Sequence, residues 1–253
     1  WELLFEGKIE EAKKLVSETF SFETCKDYSL LNLMGYIKLF EKDYQEALVF
    51  FLSISTEDAL IKIEISYYIG LIYSRLSEYE QALEYLEQVV TASKDIAKVY
   101  QCRLILAFIY ANTGRTRLAE FELSKLIEAG YESVQVFSSL AYVYYEHQEI
   151  EKAIDYYEKA LKAAPENSTA LNGLAYILAE TDRDLTRSLL LCKKAVEKQP
   201  ENPAYLDSMA LIYHKMNIPS EAKSYITRAK EKLPDNKIIV KHFEMISSDA
   251  REA

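Results

Sequence analysis

The chain has 253 residues and a formal charge of −10; 49% of its residues are hydrophobic and 28% charged, with six glycines, five prolines and twenty tyrosines. So little glycine and proline leaves few tight hairpins or phosphate-cradling loops, and the apolar share excludes a disordered chain. Residues 1–90 hold 17 acids against 8 bases and residues 91–253 hold 23 against 22, a balance that argues against a nucleic-acid partner and suits a basic peptide or a solvated acidic face.

The predicted elements recur along the chain. The first unit, about residues 1–22, keeps only a remnant of a leading helix at Trp1–Phe5 before an anchor alanine, Ala12. Units follow at about 28–58 (anchor Ala47), 61–94 (Ala82), 98–130 (Ala119), 134–165 (Ala153), 168–200 (Ser188) and 203–234 (Ala222). The anchors are 35, 35, 37, 34, 35 and 34 residues apart. The two additional residues before Ala119 fall near Thr91–Asp95, where they are expected to lengthen a turn, and one more falls around Thr181–Asp184. A closing helix is expected over 236–248, where Ile239, Phe243 and Ile246 stand at i, i+4 and i+7 and would cover the last unit's apolar face.

Each unit reads as two helices. Twelve residues before the anchor stands a small residue (Gly35, Gly70, Ala107, Ala141, Ala210, with Ala175 one place further out). Three residues on comes Tyr73, Tyr110, Tyr144 or Tyr213, with Lys38 and Leu178 as exceptions. Positions i and i+3 share one face of a first helix. The anchor, a bulky residue four on (Phe51, Leu86, Leu123, Tyr157, Cys192, Ile226) and an apolar residue three further share one face of a second. Small residues let two helices approach closely while the larger ones fill the space beside them. Pro165, Pro200 and Pro234 end their units, and Asn167, Asn202 and Asn236 are placed to cap the next helix, Pro203 following in the first turn.

This pattern resembles the tetratricopeptide repeat over nearly the whole chain, most fully at 136–165 and 203–234. The resemblance implies an all-α fold: one α-α superhelix, or solenoid, of about seven helix-turn-helix repeats spanning 1–253, with a C-terminal capping helix. The stretch from Leu171 to Ser208 looks like a repeat pair seen often in bacterial members, including cell-envelope lipoproteins.

In that family the first helices line a concave groove that takes extended peptides or helices. The residue after the small one faces the groove, which here implies Tyr36, Leu71, Phe108, Tyr142, Tyr176 and Leu211. Three residues before the small one stand Asn32, Tyr67, Leu104, Ser138, Asn172 and Asp207. The candidate partner-binding set is therefore Asn32, Tyr36, Tyr67, Leu71, Phe108, Tyr142, Asn172 and Tyr176: aromatic anchors for side chains and amides for a peptide backbone. A tightly wound array would instead bury part of this ladder between repeats. Co-chaperone members clamp a C-terminal carboxylate with lysines, and the corresponding positions here carry none.

Cys25, Cys102 and Cys192 are far apart and odd in number, reading as buried thiols rather than disulfide or zinc ligands. His147, His214 and His242 are scattered, and no Ser, Cys or His arrangement suggests a nucleophile, so no catalytic, cofactor or metal site is expected. No apolar run reaches membrane-spanning length. The chain opens in mid-pattern at Trp1, so a missing targeting signal excludes neither cytoplasm nor cell envelope. The expected role is a protein-binding adaptor. Alternatives are a self-associating component of a larger assembly, or the interaction arm of a longer enzyme.

Overall fold

In a computed structural model the chain is all helix: the described residues, 6, 8–19 and 28–252, hold fourteen helices and no strand. The chain falls into two compact units, 1–122 and 123–253. The first holds α1 (Ile9–Thr19), α2 (Tyr28–Glu41), α3 (Tyr44–Leu52), α4 (Ala59–Arg75), α5 (Tyr79–Ala92), α6 (Ile96–Asn112) and the start of α7 (Thr116–Glu128). The second holds α8 (Val134–Glu146), α9 (Ile150–Ala163), α10 (Ser168–Glu180), α11 (Leu185–Lys198), α12 (Pro203–Lys215), α13 (Pro219–Lys232) and α14 (Lys237–Glu252). The remnant helix expected at Trp1–Phe5, Cys25 and the side chain of Ala12 lie outside the described residues.

Helices pack in antiparallel pairs: α2 with α3 and α4 with α5 in the first unit, then α8 with α9, α10 with α11 and α12 with α13 in the second. First helices also touch across neighbouring pairs, α4 with α6, α8 with α10, and α10 with α12, while α14 packs on α12 and α13. The small-against-bulky spacing sets the pair geometry. A Cβ added to Gly35 would lie 2.8 Å from the Phe51 ring, and one on Gly70 would lie 2.7 Å from Leu86. The anchors Ala47, Ala82, Ala119, Ala153 and Ala222 are fully buried. Where Ser188 replaces alanine, its buried hydroxyl donates to the Ala175 carbonyl at 2.6 Å, so the polar atom is satisfied.

The tyrosine excess has a structural use. Tyr73, Tyr144 and Tyr213 of first helices stack on Tyr85, Tyr156 and Tyr225, each three residues past its anchor, with centroids 5.9, 5.3 and 5.6 Å apart. Three of these rings carry the chain's own cations: Lys152 over Tyr144, Lys159 over Tyr156 and Arg228 over Tyr225.

Turns within pairs share one device. Lys42, Ser77, Gly114, Gln148, Asp182 and Asn217 all take positive φ, between 51° and 75°. The residue after each sends its N–H back to a carbonyl in the last turn, from Glu78 to Tyr73 at 3.0 Å and from Glu149 to Tyr144 at 2.9 Å. This is the Schellman closure of a helix C-terminus. Between pairs the expected asparagine caps form: Asn167, Asn202 and Asn236 accept from backbone N–H groups of Ala170, Ala204 and Ile238 at 2.9, 3.1 and 3.1 Å. One expectation is corrected. The extra residues near Thr91–Asp95 do not lengthen a turn. Asp95 caps α6 through the N–H groups of Ala97 and Lys98, and only residues 93–95 separate α5 from α6.

Candidate functional site

Because α8, α10 and α12 touch in sequence, residues at matching register on them form a row. In the second unit this row opens a cleft of about 320 Å³. Tyr142, Asn172 and Tyr176 of the candidate set converge there, joined by Tyr145, Glu146, Tyr157, Gly173 and Asp207, while Leu233, Ile238 and Ile239 add apolar wall.

Tyr142 is 45% exposed, and its hydroxyl is hydrogen-bonded to Glu146 one turn on; burial and that carboxylate both raise its pKa. The rings of Tyr145 and Tyr176 meet edge to face at 5.8 Å, and their hydroxyls are hydrogen-bonded to each other. Asn172 accepts from the Cys192 thiol at 3.6 Å through its amide oxygen, which leaves the amide nitrogen for the cleft. Tyr157 arrives from the second helix α9 and is almost wholly buried. It reaches the cleft by crossing Gly173, where a Cβ would lie 2.3 Å from Tyr157 Cζ. Its hydroxyl makes no hydrogen bond among the described residues, and burial pushes the phenol well above its ordinary value, so it is a neutral O–H donor.

Beneath these groups lies a buried contact between an imidazole and a carboxylate. His242 Nδ1 sits 2.9 and 3.0 Å from the two carboxylate oxygens of Asp207, joining α14 to α12. The Tyr176 ring lies 6.4 Å from the imidazole.

In the first unit the candidates are dispersed. Tyr67 is 7% exposed and donates to Gln101 Oε1 at 2.6 Å beneath Lys98. Asn32 is also buried; its Nδ2 donates to Tyr28 at 3.3 Å, and its Oδ1 has no partner among the described residues. Tyr36 is half-buried, packs edge-on to Phe51 and donates its hydroxyl to Tyr68. Leu71 is half-buried, and Phe108, 55% exposed, meets Tyr79 edge to face. Tyr67 is thus taken up by the neighbouring first helix and Asn32 by its own, while Phe108 stays open.

Sequence reasoning missed Tyr145, Tyr157, Gly173 and the Asp207–His242 pair. Gly173, a glycine inside a helix, was the available signal, since such a residue marks close approach of another group. Tyr157 had been assigned only a packing role. His242 had seemed isolated because its partner stands one repeat earlier, 35 residues away. Among the described residues no group of three or more His, Cys, Asp and Glu side chains could hold a metal ion, and no helix is long and apolar enough to cross a membrane.

Two family models described as tetratricopeptide repeat match residues 138–203 and 63–96. The human protein O-mannosyl-transferase TMTC1 is 24% identical over 181 residues, 70% of this chain and 20% of that protein. The chain spans about a fifth or less of the length of the curated relatives it matches. A solved tetratricopeptide repeat protein from Parabacteroides merdae superposes with a TM-score of 0.70 at 15% identity, covering 97% of this chain and 95% of that one. A chain of the APC/C hetero-tetramer Cut9–Hcn1 superposes at 0.73 with 13% identity, covering 96% of this chain and 47% of that one.

Proposed function

We propose that this chain, a tetratricopeptide-repeat protein, is a non-catalytic adaptor that holds an extended segment of a partner protein against its first helices, seated chiefly in the cleft of the second unit. The observation that carries the reading is the convergence of Tyr142, Asn172, Tyr176 and the Tyr157 hydroxyl, without a partner among the described residues, on one open cleft. Aromatic rings bury much area for few lost rotamers, and the phenol and amide offer donors to peptide carbonyls. The matched chain of the Cut9–Hcn1 structure belongs to a hetero-assembly, which is the kind of role proposed. Phe108 and Leu71 are proposed as lesser contacts on the first unit.

Replacing Tyr142 and Tyr176 together by alanine is expected to reduce capture of the native partner at least tenfold while far-ultraviolet helicity persists. Undiminished capture by that folded double variant rejects the cleft. A second reading, the interaction arm of a longer enzyme, is favoured by the match to a stretch making up 20% of a protein named as a mannosyl-transferase. Sugar transfer by this chain alone would contradict the non-catalytic part.

A further inference from the structure

Several tyrosine rings of the chain are already covered by the protein's own cations, as with Lys98 over Tyr67 and Tyr68, Lys152 over Tyr144, and Arg228 over Tyr225. Among the described residues no lysine or arginine stands over Tyr142, Tyr145, Tyr157 or Tyr176, and none lines the cleft.

The charge that does reach the cleft is negative. Glu146 is exposed at its edge, and Glu180 lies close enough to Tyr145 and Tyr176 to disfavour their ionisation. Asp207 is already engaged by His242. Four aromatic rings, an acidic edge and an aliphatic wall of Leu233, Ile238 and Ile239 form a container with two characters. A long cationic side chain has the same two characters, an apolar stem and a charged head. The head can sit over an aromatic face, where ring quadrupoles attract it, and within reach of Glu146. An acidic side chain would meet Glu146 and the negative ring faces, and an aliphatic one would leave the acidic edge unused.

Resting on the adaptor reading above, we propose that the cleft is specific for a basic side chain: its occupant is an extended partner segment presenting arginine or lysine to Tyr142, Tyr145, Tyr176 and Glu146, with a neighbouring backbone carbonyl accepting from Tyr157. The Tyr157 hydroxyl is the second, independent mark of a ligand: a nearly buried donor aimed into the cleft, with no acceptor for its proton among the described residues.

The test is calorimetric titration of the 253-residue chain with three end-blocked pentapeptides: Ala-Leu-Arg-Leu-Ala and its versions with norleucine or glutamate at the centre. The arginine peptide is expected to bind about tenfold tighter than the norleucine peptide and the glutamate peptide most weakly. In Glu146→Gln, which keeps an acceptor for Tyr142, the arginine preference should shrink several-fold while helicity and melting temperature stay unchanged. Raised salt should shrink it too. Equal binding of all three peptides, lost on changing Tyr142 and Tyr176 to alanine, would overturn the cation preference and leave the adaptor cleft standing. Arginine-peptide binding that survives the double tyrosine change places the basic site elsewhere and overturns the proposal. Absence of binding by every peptide removes both the preference and the cleft.

Discussion

At the scale of single residues, the repeat is held by what small side chains permit. Gly35 is helical, so alanine there should gain about 1 kcal/mol from reduced backbone entropy. Its Cβ, however, would press within 2.8 Å of a fully buried Phe51 ring that has nowhere to go. Overpacking of this kind costs about 1–3 kcal/mol, which outweighs the gain. Gly35→Ala is therefore expected to lower the melting temperature, and an unchanged or raised value would show that Phe51 yields. The same reasoning at Gly173 concerns function more than stability, because the space it leaves lets Tyr157 reach the cleft. The small residues at the regular positions were legible in the sequence from spacing. Gly173 shows in the sequence only as a glycine inside a helix; what it makes room for did not, since it falls outside the repeat's alanine-glycine register and Tyr157 reaches it from the preceding repeat.

At the scale of helices and turns, the six turns within pairs place a residue in the left-handed region, and five of those residues are not glycine. That conformation costs an L-residue with a Cβ about 1 kcal/mol or more. Gln148, with φ of 61°, has no asparagine-like local compensation, so Gln148→Gly should stabilise the chain by about 0.5–1 kcal/mol in urea denaturation. Loss of stability instead would mean that the glutamine side chain makes a contact outweighing the strain. The last helix is held differently. α14 covers the apolar face of α12 and α13 with Ile239 and Ile246, as foreseen, and also pins itself through His242 to Asp207. Removing one member of this buried hydrogen-bonded pair leaves the other polar group unsatisfied, at a cost of about 1–3 kcal/mol. In Asp207→Ala, hydrogen exchange should quicken throughout α14 before it quickens in α8. Uniform protection along both helices would show that the apolar contacts alone secure the end.

At the scale of the whole molecule, buried thiols and phenols link stability to alkaline pH, with Cys102, Cys192 and Tyr67 among them. Burial pushes Cys102 and Cys192 up to about 12 from 9.0, and Tyr67 up to about 12 from 10.0. Each stays protonated in the folded chain while its unfolded counterpart loses its proton first. The unfolded state then binds fewer protons, so stability falls as pH rises from about 9 toward 12, by up to about 1.4 kcal/mol per unit for each group. Urea midpoints should decline across that window, and in a chain with both thiols replaced by alanine the part of the decline between about pH 9 and 10, below the ordinary phenol value, should flatten. A midpoint insensitive to pH between 9 and 11 would contradict the burial of these groups.

The fold is built of paired helices, and its repeat was written in the sequence because each pair depends on the same few contacts every 34 to 37 residues. Small anchors, stacking tyrosines, asparagine caps and terminating prolines act over one turn or one helix pair, so their spacing determined them. The cleft is another matter. Which tyrosines close on their own chain, as Tyr67 does on Gln101, and which stay open, as Tyr142 does, depends on the side chain that the adjacent repeat brings alongside. That neighbour stands some 35 residues away and is set by packing between helix pairs, an arrangement decided only by the tertiary structure.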